Sequence, residues 1–231
     1  MKPPQVLNHF AIGKRSNIPY VQIRPAETRS ETVCFMCPGT GYSFDKPLLY
    51  YSTMLMLQKS IDVVHIQYNY QDKPAFWELS REEQSDWMYE DVNAVAEKVL
   101  AEHSYGNFLF LGKSVGTMPI ANGLCRDPRF AAAKAVLLTP IIDNEKLAKS
   151  LMDCQQEMLI VIGTNDHFYH EANLEAIRSQ KPNIRLSVIQ EANHALEIGW
   201  DVSASLAVMQ RVMKQLDRFV EGSPLLTNSL P

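Results

Sequence analysis

The sequence predicts an α/β domain: a mostly parallel, doubly wound sheet that begins with an antiparallel hairpin. Three observations carry this. Short runs of Val, Ile, Leu and Phe alternate with longer amphipathic stretches along most of the 231 residues. The runs are nearly continuous in hydrophobicity, the mark of parallel strands buried on both faces. Two further runs near the start flank a turn-forming segment instead of a helix, which is the pattern of a hairpin.

Taken in order, "VLNHFAI" (6–12) and "PYVQIRP" (19–25) lie either side of "GKRSN" (13–17) and form the hairpin at one edge of the sheet. The buried strands are "TVCFMC" (32–37), "DVVHIQYN" (62–69), "FLFLG" (108–112), "AVLLT" (135–139), "MLIVIG" (158–163) and "RLSVIQ" (185–190). Helical patterns fill the gaps. The first, 47–60, opens on Pro47, suited to a first turn; its run "YYSTMLML" reads as core, with Tyr50 or Tyr51 near the pocket. Residues 81–102 follow Ser80, a capping residue, and start with acids that favour the positive end of the helix dipole. Residues 144–153 and 171–180 are shorter, and the last helix, 201–221, is bounded by Asp201 and Gly222. The tail from 222 to 231 is expected to fray. No repeat or Pro/Gly/Ser linker interrupts the chain, so 1–231 reads as a single domain.

Composition removes several classes of function. The net charge is −4 and no stretch clusters Lys and Arg, which argues against nucleic acid as a partner. No segment has the length of a membrane span, and "MKPPQVLNHF" lacks the apolar core of a signal peptide; the expected location is cytoplasmic, without membrane insertion. Cys34 and Cys37 make a C-x-x-C, but on a strand this spacing points the two side chains to opposite faces, so they read as small buried hydrophobes. His167 and His170 resemble a metal pair with no third ligand in sight. No metal and no cofactor are expected.

"LFLGKSVGTMP" (109–119) holds two competing motifs. Gly112-Lys113-Ser114 could end a P-loop. That loop needs a glycine five residues before Gly112 and a flexible connection that wraps phosphate, whereas Asn107 stands there and "FLFL" follows. Gly112-x-Ser114-x-Gly116 is also a nucleophile elbow. Here a buried strand should run into a tight turn with the serine at its tip and "VGTMPIANGL" as the helix behind it; the glycines stand where side chains would clash. Chain order supports the elbow. Asp166 comes just after "MLIVIG" and His194 just after "RLSVIQ", both at carboxyl ends of strands, where open α/β sheets bind ligands.

With "GKSVG", "GTND" and "EANHAL" in that order, the chain resembles the α/β-hydrolase superfamily from residue 32 to the final helix. The resemblance implies Ser114 as nucleophile, His194 as general base and Asp166 as the acid that orients it. Asp143, after the preceding strand, is the rival acid. "CPGTGYSFDKP" resembles the oxyanion loop, with Pro38-Gly39-Thr40 where the family usually carries His-Gly-x. The donors implied are the N–H groups of Thr40 and Val115, with Gly39, Gly41 and Tyr42 beside them. The gap between Thr139 and Met158 holds one short helix, so no large lid is expected; residues 70–80, "YQDKPAFWELS", are the other candidate wall, with Phe76 and Trp77 able to line an acyl pocket. Lys113 could contact an acidic substrate or simply be solvated. These features imply a small, lidless, esterase-like serine hydrolase acting on a small-molecule carboxylic ester or thioester. A peptidase or amidase, or a non-catalytic ligand-binding member of the fold, are the other possibilities.

Overall fold

The computed structural model describes residues 2–26, 30–143 and 145–223; of the expected frayed tail, residues 224–231 lie outside the described residues. Eight strands form one sheet in the order β1-β2-β4-β3-β5-β6-β7-β8. β1 (Gln5–Ile12) and β2 (Asn17–Arg24) are the edge hairpin, and β2 is also antiparallel to β4 (Asp62–Ile66). The remaining pairs are parallel: β3 (Thr32–Cys37) with β4 and β5 (Asn107–Lys113), then β6 (Lys134–Leu138), β7 (Glu157–Gly163) and β8 (Ile184–Ile189).

The continuous hydrophobicity of the strands has a simple cause. Along β3, Val33, Phe35 and Cys37 pack into one apolar cluster while Cys34 and Met36 pack into the other, on the opposite face. Helices α1 (Pro47–Gln58) and α7 (Val202–Val220) cover the second face, through Leu48, Leu49, Met56, Val212, Leu216 and Phe219. On the first face lie α3 (Arg81–Glu102), α4 (Met118–Asn122), α5 (Glu145–Asp153) and α6 (Glu171–Gln180), with the short α2 (Pro74–Trp77) ahead of α3. A capping box fixes the start of α3: Ser80 Oγ accepts from the Glu83 N–H, and the Glu83 carboxylate accepts from the Ser80 N–H. Among the described residues the only helix between β6 and β7 is α5, nine residues long, so there is no large lid. No helix among the described residues is long and apolar enough to cross a membrane.

Three expectations need correction. The helix expected over "VGTMPIANGL" is broken into a 3-10 turn (Ser114–Thr117), the five-residue α4 and further 3-10 turns (Leu124–Arg126 and Pro128–Phe130). Gly123 presses against Tyr89 so closely that a Cβ there would lie 2.0 Å from the ring, which turns the chain away. The strand expected over 62–69 stops at Ile66, and Gln67 to Gln71 leave the sheet. Tyr50, Tyr51 and Met54 are exposed on the outer side of α1 and do not line the cleft described below.

Candidate active site

Because β3 and β5 are paired neighbours, with Cys37 opposite Gly112, the turns that leave their carboxyl ends meet. Successive connections leave this point in opposite directions, to β4 on one side and β6 on the other, which opens a crevice. Ser114 sits at its base with φ 54°, a left-handed conformation that costs a non-glycine residue about 1–3 kcal/mol. Two glycines allow the tight turn. A Cβ on Gly116 would fall 2.3 Å from the Cys37 carbonyl oxygen, and one on Gly112 would fall 2.6 Å from the Gly116 oxygen.

Ser114, His194 and Asp166 come together from three connections. His194 Nε2 lies 2.9 Å from Ser114 Oγ, and His194 Nδ1 lies 2.9 Å from both Asp166 oxygens. A carboxylate only accepts, so the imidazole proton belongs on Nδ1 and Nε2 is left to accept from the serine hydroxyl. Asp166 is buried and also accepts from the Phe168 N–H at 3.0 Å. The rival acid, Asp143, is exposed and is not part of this chain of hydrogen bonds.

The loops carrying Asp166 and His194 are stitched to each other by the neighbours of these two residues within "GTND" and "EANHAL", a role the motifs did not assign them. Thr164 N–H donates to Ile189 O, Asn165 N–H to Ala192 O, and Asn165 Nδ2 to Glu191 O. Gly163 makes the close approach possible, since a Cβ there would lie 2.0 Å from Ala192 O. Asn193 Oδ1 accepts from the N–H groups of Ala195 and Glu197, closing the turn on which His194 sits. Their only sequence signal was the general turn preference of Asn and Thr.

An open cleft of about 470 Å³ adjoins the serine. Its wall includes Gly39, Thr40, Gly41, Tyr42 and Val115, all singled out in the sequence, Phe44 from the same loop, Tyr70 and Gln71 from the start of the 70–80 segment, and Gln67 and Tyr68, to which the sequence did not point. Tyr68 donates its hydroxyl to the Pro38 carbonyl at 2.8 Å and so pins the turn after β3. Phe44 stacks on His65, whose pKa burial pushes down to about 4, so that the imidazole is neutral at physiological pH. Phe76 does not reach the cleft: it is buried against Tyr70 and Trp87, and Trp77 projects outward with its Nε1–H on Tyr70 O.

Lys113 follows neither course expected of it. It is 1% exposed, donates to Thr139 Oγ1 at 2.5 Å and lies 5.1 Å from the Tyr42 ring centre. It therefore touches neither solvent nor the open cleft. His170 caps α6 with its ring and is not paired with His167. His167 instead packs on the His194 ring, and Asp166, His167 and His194 together offer three atoms close enough to hold a metal ion. The hydrogen-bond chain itself requires none.

The family model for an alpha/beta hydrolase domain matches residues 30–221. No curated protein matches the sequence. Among solved structures, an esterase of Pyrococcus furiosus superposes with a TM-score of 0.74 at 12% identity, over 95% of this chain and 93% of that one. A lidless α/β serine hydrolase from Xanthomonas campestris gives 0.67 at 14% identity, over 100% and 99%. A cold-adapted esterase from an Arctic intertidal metagenomic library gives 0.70 at 15%, over 94% and 95%. At such identities the likeness is one of fold. The family match, which spans most of the chain, goes further: this protein belongs to the alpha/beta hydrolase family.

Proposed function

We propose that the protein is a serine hydrolase that cleaves a small carboxylic ester or thioester through an acyl-enzyme on Ser114. The observation that carries the reading is the unbroken Ser114–His194–Asp166 hydrogen-bond chain, ending on a serine held at positive φ. A serine hydroxyl is a weak nucleophile and needs a base within reach. In the proposed reaction His194 Nε2 takes the hydroxyl proton as Oγ attacks the carbonyl carbon. Asp166 holds the Nδ1–H tautomer and stabilises the imidazolium that forms. The tetrahedral intermediate expels the alcohol or thiol, which receives the proton from His194. Water then attacks the acyl carbon as it gives up a proton to His194; the bond to Ser114 Oγ breaks, the acid leaves, and His194 returns the proton to Oγ.

The N–H groups of Val115 and Thr40 are the proposed oxyanion donors. Each is worth about 3 kcal/mol of barrier. Thr40 lies on the turn that packs directly on the elbow, with Gly39 so near that a Cβ would be 3.1 Å from Ser114 Cβ.

Hydrolysis of p-nitrophenyl acetate, butyrate and octanoate, an acyl-thioester and an acyl-anilide separates the possibilities. The reading expects turnover of short esters or thioesters that disappears in Ser114→Ala. Turnover of the anilide alone would reassign the protein to amide substrates. Binding without turnover of any of them would mark a ligand-binding member of the fold.

A further inference from the structure

An ammonium group is costly to bury without an anion beside it, because the interior cannot replace its hydration. Lys113 is such a group. Its nearest partners are a neutral hydroxyl, Thr139 Oγ1, and the face of an aromatic ring, Tyr42; Asp166 attracts it only from longer range. The position is also crowded in a particular way. Gly39 lies over the lysine: an added Cβ there would meet Lys113 O at 3.2 Å and Lys113 Cγ at 3.5 Å. Gly39 and Tyr42 are themselves joined by the Tyr42 N–H to Gly39 O bond of 3.1 Å, so the lysine touches both ends of the turn that carries Thr40. On the other side, Thr139 has φ 46° and donates its N–H to Val161 O at 2.7 Å. One side chain thus ties the turn after β3 to the turn after β6, directly behind the serine.

We propose that Lys113 is a positioning residue for the hydrolytic reaction: its buried ammonium, gripping the Tyr42 ring and the Thr139 hydroxyl, holds the Gly39–Tyr42 turn so that the Thr40 N–H faces the oxyanion. This rests on the serine-hydrolase reading above. The role is one that a neutral side chain of the same length fills poorly, since the attraction to the ring face needs the positive charge. Proton loss should therefore have the same effect as mutation. Burial lowers Lys113 to about 8, with Asp166 opposing the shift. The titratable groups around it are Tyr42 from the turn after β3, raised by its own burial, Asp166 from the loop after β7, and His194 beyond Asp166. Above that pH the ammonium is discharged and the turn loses its hold.

The test measures kcat and KM on a short ester between pH 6 and 10 for the native chain, Lys113→Met and Tyr42→Leu, each normalised to active sites titrated with a fluorophosphonate. The expected result is a fall in kcat per active site of about 10- to 100-fold in Lys113→Met, with KM within about twofold, because oxyanion donors act in the transition state. The native profile should decline through pH 8, and this decline should be absent from Lys113→Met. Tyr42→Leu should lose a similar factor, the double variant little more, and Tyr42→Phe, which keeps the ring, should recover most of the loss. Lys113→Met with native kcat per site and an unaltered pH profile would overturn the positioning role while leaving the hydrolase reading intact. A native chain that takes up no fluorophosphonate overturns both. Should Lys113→Met fail to fold, the Tyr42 pair decides: Tyr42→Leu at native kcat refutes the role.

Discussion

The contact between the elbow and the turn after β3 makes Gly116 a sharp test of how the site is built. Replacing it with alanine puts a methyl 2.3 Å from Cys37 O and 2.6 Å from Pro38 O, both backbone atoms that cannot rotate aside. Real Cβ atoms essentially never come nearer than 3.0 Å, so one side must move by at least 0.7 Å (3.0 minus 2.3). Cys37 is held in the sheet opposite Gly112, so the displacement passes into the Pro38–Tyr42 turn or into the 3-10 turn of Ser114 itself. Misplacement of reacting groups by about 1 Å costs on the order of 10²-fold, so kcat/KM of Gly116→Ala should fall by about 30- to 100-fold. Overpacking should also remove about 1–3 kcal/mol of stability. Two glycines provide the scale. Gly39→Ala meets its nearest atom at 3.1 Å and should cost much less, and Gly106→Ala, with nothing within 4 Å, should cost nothing. The assay is initial-rate hydrolysis of a short ester per titrated active site, with melting curves alongside. If Gly116→Ala matched Gly106→Ala in kcat/KM, the tight elbow would not be what positions the serine.

Other consequences follow from single contacts. Burial lowers Lys113 from the ordinary 10.5 to about 8, which corresponds to about 3 kcal/mol of destabilisation below pH 8. Because the unfolded chain binds the proton more tightly, native stability rises between pH 8 and 10.5, and Lys113→Met should be no less stable at pH 7 and show a flatter slope. Urea midpoints at pH 7 and 10 check this; a large loss of stability at pH 7 would contradict it. Asn193→Ala strands the N–H groups of Ala195 and Glu197 in the His194 turn. It should lower kcat by about tenfold, with little change in KM, in steady-state kinetics. Ser80→Ala removes the capping box of α3 and should cost about 1 kcal/mol, seen as a drop of about 2–4 °C in melting temperature with activity unchanged.

The inner strands were legible because they are buried on both faces, which leaves few polar positions to confuse the pattern, as in "TVCFMC" and "MLIVIG". The same logic exposed the hairpin, whose first strand is largely exposed and carries Asn8 and His9. The elbow was legible for a different reason: Gly112 and Gly116 mark close backbone approaches, and these depend on local chain geometry. Side-chain destinations were not legible. Leu48 and Tyr51 sit in one apolar run, yet only the first meets the sheet, because α1 is apolar around its circumference and only packing selects the buried side. Phe76 was expected at the cleft and instead meets Trp87 of α3, a contact between residues with no shared periodicity. The charge of Lys113 suggested a contact to an acidic substrate or a solvated neighbour; its burial depends on Thr139 and Tyr42, which are distant in sequence.

The central claim is that Ser114 is activated by His194 and Asp166. Its most direct test is intact-mass analysis after exposure to a fluorophosphonate, on the native chain, Ser114→Ala and His194→Ala, with folding verified by circular dichroism. The account predicts one adduct on the native chain, none on Ser114→Ala, and labelling of His194→Ala slowed by several orders of magnitude. A folded native chain without an adduct, or an adduct that persists on Ser114→Ala, would contradict it.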